Sequence, residues 1–403
     1  MKEDIAPVEE GGVTTPRGFL ASGVACGIKA GGEKDLSLIC SERAGRVVGL
    51  FTQNRVPAAP VVLSRRHAAL GSGRAVVINS GNANACTGAA GMANATEMVN
   101  RVASGIGCPP EEVFVCSTGR IGTPLPMAKV RKGIDLALER LSPQGGKDAA
   151  LGILTTDTYP KTMALRVSLG EQDLFLGGIA KGAGMIDPRL ATMLCVVTTD
   201  ADVSDESFTL AARRAAAESF NRISIDGDCS TNDTVLVFAN GLARNRTLTP
   251  ESGEFRLFQS ALSLLMGRLA RMIVEDGEGI SKVVEILIQG ASDEEDAERA
   301  ARAVAHSLLV KCSWHGEDPN WGRILAAIGY SGASVDGNRV DIFYNGVQAV
   351  AAGVRARTPS RLVREAVRLP QFTILIDLGI GPGHCRLLTS DLTERYVRLN
   401  KGE

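Results

Sequence analysis

Aromatic residues are scarce: phenylalanine, tyrosine and tryptophan together make up 4% of the 403 residues. A pocket that stacks a large flat cofactor is therefore not expected, whereas 45 glycines suit tight turns and close backbone approach. Histidine is rarer still. His67, His306, His315 and His384 form no metal-spaced group, so neither a metal site nor a histidine-based triad is expected. The nine cysteines contain no Cys-x-x-Cys pair, and Cys26, Cys86, Cys116, Cys195 and Cys229 are expected to be reduced, packed small residues. A net charge of −1 argues against recruitment of nucleic acid or an anionic membrane by bulk electrostatics. No apolar run is expected to reach the ~20 residues that span a bilayer. The acidic start, Met1 to Gly12, lacks a signal-peptide core, so a cytoplasmic chain is expected.

What is present is an alternation of strand-like and helix-like segments over a length that exceeds one ordinary core. That combination predicts an α/β (α+β) protein with two lobes. Arg74 to Ile78 and Val113 to Cys116 read as short buried strands, followed by a loop at Asn79–Asn84 and a turn at Ser117–Gly119. Thr123-Pro124 supplies an N-cap and a first-turn proline for a helix with Met127, Val130, Ile134 and Leu138 on one face. Leu262, Leu265, Leu269 and Met272 line another helix, and Val284, Ile286 and Ile288 alternate as a strand. Ser292 with Glu295 predicts a capping box. The stretch from Leu141 to Asp148 is the most linker-like.

The central segment carries the most chemistry. Leu174 to Ile179 reads as a strand, the glycine-bearing run Lys181 to Pro188 must turn, and Thr192 opens a segment apolar on both faces through Thr198. A hydroxyl residue behind such a turn, at the head of a buried strand, is the arrangement of an N-terminal nucleophile, although a threonine there also serves as a plain strand starter.

Further segments accompany it: Phe51 to Arg55, NSGNANACTG from Asn79, STGRIG from Ser117, TTDTYPK from Thr155, FNRISIDGDCSTNDT from Phe220, DGEGISK from Asp276 and GEDPNWGRI from Gly316. With KGAGMIDPRLATML from Lys181, this set resembles, in the same order, the motifs of the ornithine acetyltransferase (glutamate N-acetyltransferase) family of arginine biosynthesis. The resemblance runs from about Gly12 to Asn400. It implies an αββα layered fold shared with N-terminal-nucleophile aminopeptidases. It also implies self-cleavage between Ala191 and Thr192, giving chains 1–191 and 192–403 that assemble as a heterotetramer of two copies of each.

The same resemblance assigns roles. Thr192 is the nucleophile, its freed α-amine acting as the base beside its own hydroxyl. Thr118 and Gly119 form the oxyanion hole, and Thr155, Lys181, Thr192, Glu278 and Asn400 bind substrate. Ping-pong transfer of acetyl from N2-acetylornithine to glutamate is the implied reaction. No cofactor is expected beyond acetyl-CoA as a further co-substrate. Read as residues alone, Thr118-Gly119 is also a strand-end turn, and Lys181 and Glu278 are also surface charges. Asn221 to Asp233 and Asn320 to Arg323 read as structural turns or pocket edges. Where the family ends with a threonine or serine, this sequence has Lys401-Gly402-Glu403 after Asn400. Two rival readings are an amidohydrolase or aminopeptidase of the same fold, and an uncut, non-catalytic amino-acid binder.

Overall fold

The computed structural model describes residues 4–170, 172–187 and 193–401. The chain divides into two compact units. One comprises residues 1–182, 188–221 and 229–273, the other residues 183–187, 222–228 and 274–403. Two lobes are thus present.

Among the described residues the first unit is built on nine strands: β1 (Ile5–Pro7), β2 (Phe19–Val24), β3 (Leu36–Phe51), β4 (Ser72–Asn82), β5 (Val113–Arg120), β6 (Lys161–Leu169), β7 (Gln172–Lys181), β8 (Leu194–Thr199) and β9 (Thr234–Ala239). Their order is β1-β6-β7-β8-β9-β3-β4-β5, with β2 also on β3. The long β3 pairs with β2 and β4 in its first part. Its register shifts between Cys40 and Gly45, and Arg46 to Phe51 then pair with β9. The two halves of the sheet pack face to face. Val76, Ile78, Phe114 and Cys116 from one half share a core with Ile179, Val196, Leu236 and Phe238 from the other, and the Phe114 and Phe238 rings meet edge to face at 5.6 Å.

Strand alternation explains the next layer, because successive side chains point to opposite faces. Ala75, Val77, Val113 and Val115 turn outward onto α2 (Gly88–Ile106) and α3 (Met127–Glu139), and α1 (Ala59–Ala68) lies on the same side. On the other half, α6 (Gly253–Glu275) packs Leu265 and Leu269 onto Gly178, and Ser263 on it bonds Glu218 of α5 (Asp205–Glu218). Helices therefore enclose two sheet layers, the expected αββα order.

Several local expectations need correction. The strand-side loop Asn79–Asn84 and the turn Ser117–Gly119 are largely strand, because β4 and β5 run on in parallel register to Asn82 and Arg120. The helix carrying Val130 and Ile134 begins at Met127, after Thr123-Pro124. Leu141 to Asp148 is no linker: Ser142 exchanges backbone hydrogen bonds with Ala21, and α4 (Gly146–Gly152) buries Ala149 and Ala150. Cys86 is exposed. By length and composition α6 could cross a membrane, contrary to the expectation that no run would. Its apolar face is buried in this unit instead, through Leu262, Leu265 and Leu269.

In the second unit, β10 (Val283–Ala291), β11 (Asp341–Tyr344), β12 (Val347–Ala351), β13 (Val354–Arg355), β14 (Gln371–Asp377) and β15 (Gly383–Ser390) form a sheet ordered β13-β12-β11-β14-β10-β15. Four helices, α7 (Glu294–His306), α8 (Leu308–His315), α9 (Trp321–Gly329) and α10 (Ser360–Arg368), contribute to its core beside Ile286, Ile374 and Ile376. The cap of α7 is Asp293, which accepts the Asp296 amide. The expected Ser292 instead donates to the Asp296 carboxylate at 2.5 Å. Asn320 caps α9. A last helix, α11 (Glu394–Leu399), is capped by Thr393.

Candidate active site

Ala191 and Thr192, the expected cleavage pair, lie outside the described residues. Their downstream neighbours are well placed in the sheet: the Met193 carbonyl accepts the Thr234 amide at 2.9 Å. Leu194 registers with Lys181 on one side and Thr234 on the other.

Lys181, the last residue of β7, gathers the first unit's expected site residues. Its Nζ donates to Thr155 Oγ1 at 2.7 Å and to Thr118 Oγ1 at 3.3 Å. It is not the surface charge that its residue type would suggest, being only 8% exposed. Beside Thr118, Gly119 is solvent-exposed and has φ of 129°. A Cβ there would lie 2.4 Å from the Gly81 carbonyl carbon and 2.5 Å from the Asn82 nitrogen, so the parallel pairing of β4 and β5 admits only glycine. Arg120, the following residue, faces solvent.

Two residues of the TTDTYPK segment were not singled out from sequence, Asp157 and Lys161. Asp157 Oδ1 accepts Lys161 Nζ at 2.6 Å and the Gly182 amide at 2.7 Å, while Oδ2 accepts the Thr155 amide at 3.1 Å. Lys181 Nζ is 3.9 Å from Oδ2. Burial alone would raise this carboxyl, but the Lys181 and Lys161 charges and the Gly182 amide hold it down at about 2. Tyr159 covers Lys161, its ring centroid 5.0 Å from Nζ. Lys29 is also in electrostatic range of Asp157 and Lys181, and burial lowers its pKa. A buried acid beside buried lysines marks a candidate site. From sequence the only sign was two charges flanking a tyrosine-proline pair.

Asparagines brace the ends of β4 and β5. Asn232 donates to the Ala83 carbonyl at 2.6 Å and the Ser117 carbonyl at 2.8 Å, and Ser117 Oγ donates to Asn79 Oδ1 at 2.6 Å. These bonds give the asparagine-rich segments a structural role. Cys116 and Cys195 are buried, and burial pushes both thiols up, so neither is a ready nucleophile.

In the second unit, Glu278 and Asn400 meet: Asn400 Nδ2 donates to Glu278 Oε2 at 2.8 Å. The pairing joins segments far apart in sequence. The Gly279 carbonyl accepts Thr393 Oγ1 at 2.6 Å, which seats α11 on the turn that carries Glu278. The Glu278 amide donates to the Ala183 carbonyl at 2.8 Å, and a Cβ on Gly184 would fall 2.5 Å from the Glu278 carboxyl carbon. Asp226 accepts the Met185 and Ile186 amides at 2.6 and 2.8 Å and the Tyr396 hydroxyl at 3.2 Å. Burial raises the Asp226 carboxyl. Asp187 is clamped by Arg302 at 2.9 Å and His306 at 2.8 Å. The Asn221 to Asp233 run is thus largely structural.

The αββα body sets a buried lysine between two threonine hydroxyls at the end of β7, and the family that the chain matches makes it an acyltransferase. A model of the ArgJ family matches residues 20–402. The chain is 47% identical over 392 residues to the arginine biosynthesis bifunctional protein ArgJ of Symbiobacterium thermophilum, covering 97% of this chain and 98% of that one. It is 46% identical over 385 residues to the protein of the same description from Geobacter sulfurreducens, with 95% and 98% covered. The crystal structure of the ArgJ bifunctional protein of Bacillus halodurans aligns at TM-score 0.50 and 38% identity, over 52% of this chain and 98% of that one. The chain belongs to the ArgJ family.

Proposed function

We propose that this chain transfers acetyl from N2-acetylornithine to glutamate through an ester on Thr192, after cutting its own backbone between Ala191 and Thr192. The observation that carries the reading is Lys181, bonded to both Thr155 and Thr118 and in register with Leu194, two residues beyond Thr192 in the chain. In the first step the Thr192 hydroxyl attacks the Ala191 carbonyl, the amide becomes an ester, and water hydrolyses it. The α-amine so released, a group whose reference pKa is about 8, takes the hydroxyl proton at neutral pH. The alkoxide attacks the acetyl carbon. Thr118 Oγ–H and the Gly119 amide donate to the oxyanion, a contribution of about 3 kcal/mol per donor. The proton passes to the departing amine, ornithine leaves, and the glutamate amine takes the acetyl group by the same steps reversed.

Lys181 suits the amino-acid carboxylate, and Glu278 with Asn400 suits an ammonium group. The products 1–191 and 192–403 stay together because β8 and β9 of the second lie between β7 and β3 of the first, and they pair into a heterotetramer. The Bacillus halodurans chain, almost wholly covered by half of this one, has the length of such a product. Acetyl-CoA is the further co-substrate that this reading admits, in a cytoplasmic enzyme.

Intact mass spectrometry after brief exposure to acetylornithine tests the reading. Two fragments are expected, with one acetyl group on that beginning at Thr192. A Thr192→Ala variant stays one polypeptide and transfers nothing. An active sample holding only full-length chain refutes the scheme, and acetate release indifferent to glutamate makes the enzyme a hydrolase.

A further inference from the structure

We propose that Asp157, clamped by Lys161, is a positioning residue that sets where Lys181 can hold an anionic group of the substrate. This rests on the reading of Lys181 as the carboxylate-binding residue. One carboxylate does several jobs. Its Oδ1 fixes the Gly182 amide at 2.7 Å, its Oδ2 fixes the Thr155 amide at 3.1 Å, and the Lys181 ammonium lies 3.9 Å from Oδ2. Thr155 in turn receives a Lys181 hydrogen bond of 2.7 Å. Two of the contacts that locate the ammonium, Thr155 and Oδ2 itself, therefore refer back to Asp157, while Thr118 holds it from β5.

Lys161 stiffens these contacts. Its side chain and that of Asp157 are both fully buried, and the bond between them is 2.6 Å. A carboxylate held by a buried cation and two backbone amides has little freedom to follow a moving partner. The low pKa of Asp157 keeps it charged throughout the working range. Lys161 opens β6 opposite Ala180, the residue before Lys181, so clamp and clamped lysine rise from neighbouring strands.

The readout is the ratio of kcat/KM for acetylornithine to that for its carboxamide, which cancels differences in the folded fraction. The double variant Asp157→Asn/Lys161→Met removes the two opposite charges of the pair together, a replacement often tolerated. Its ratio is expected to fall about tenfold, mostly through KM for the acid. Asp157→Glu retains both charges and moves the carboxylate by one methylene, and its ratio is also expected to fall. It carries the test where the double variant does not fold. Lys161→Arg is expected to keep the ratio. A wild-type ratio in processed Asp157→Glu or in the processed double variant overturns the proposal, since a purely structural pair would leave it unmoved. Lys181→Met separates the two claims: a wild-type ratio there sinks the role of Lys181 itself.

Discussion

Replacing Gly119 with alanine tests the oxyanion role proposed for the end of β5. The added Cβ would sit 2.4 Å from the Gly81 carbonyl carbon and 2.5 Å from the Asn82 nitrogen. Both are backbone atoms in a paired strand, so relief requires β4 and β5 to part by about 1 Å, a misplacement that costs about 10²-fold in rate when it reaches reacting groups. The Gly119 amide would move with its strand, and loss of one oxyanion donor costs about 10²–10³ in kcat. The two estimates describe one displacement and are not summed. Gly107 provides the control. It ends α2 at φ 66° with no atom near its added Cβ, so Gly107→Ala meets only the left-handed penalty of about 1–2 kcal/mol. Initial rates at saturating acetylornithine and glutamate, with thermal unfolding of each variant, compare the pair. Gly119→Ala is expected to lose kcat out of proportion to stability, and Gly107→Ala to lose stability alone. If folded, processed Gly119→Ala keeps kcat within about fivefold of wild type, the donor assignment is wrong.

Gly184→Ala would push its Cβ into the Glu278 carboxylate and is expected to raise KM for ornithine in the reverse reaction about tenfold, with cleavage intact. Asn232→Ala leaves the Ala83 and Ser117 carbonyls without a donor that each now has. It should cost about 2–3 kcal/mol, read as a lower denaturant midpoint. Asp157 titrates at about 2 in the folded chain, below the unfolded value of about 3.9. Its stabilisation is therefore present above about pH 4 and lost as pH falls toward about 2, a change of about 2 kcal/mol. Denaturant midpoints measured across that window should drop more in wild type than in Asp157→Asn/Lys161→Met; equal drops would refute the depressed carboxyl.

Much of this was legible in the residues. Short apolar runs announced β4, β5 and β7, and alternating apolar positions announced β10, since the number of buried faces is written in the period of the strand. Motif order gave the family, and with it the roles proposed for Thr118, Gly119, Thr155, Lys181, Glu278 and Asn400. Element ends were less legible. Asn79–Asn82 and Ser117–Arg120 look like loops because their residues are small and polar, yet each strand is completed by its neighbour's backbone. Ser292 looked like the cap of α7, but Asp293 takes that place. Leu141 to Asp148 looked like a linker because glycine, proline and charge are also what a tight turn against β2 requires.

Sequence alone determined the chemistry on offer: one hydroxyl behind a glycine-bearing turn, few histidines, and pairs of charge suited to an amino acid. It determined this because functional-group identity is local and survives without coordinates. Tertiary structure alone decided that Lys161 clamps Asp157, that Asn400 answers Glu278 across more than a hundred residues of chain, and that residues 183–187 and 222–228 join the second unit. Those facts depend on strand order and on contacts between distant segments, which no single stretch of residues encodes.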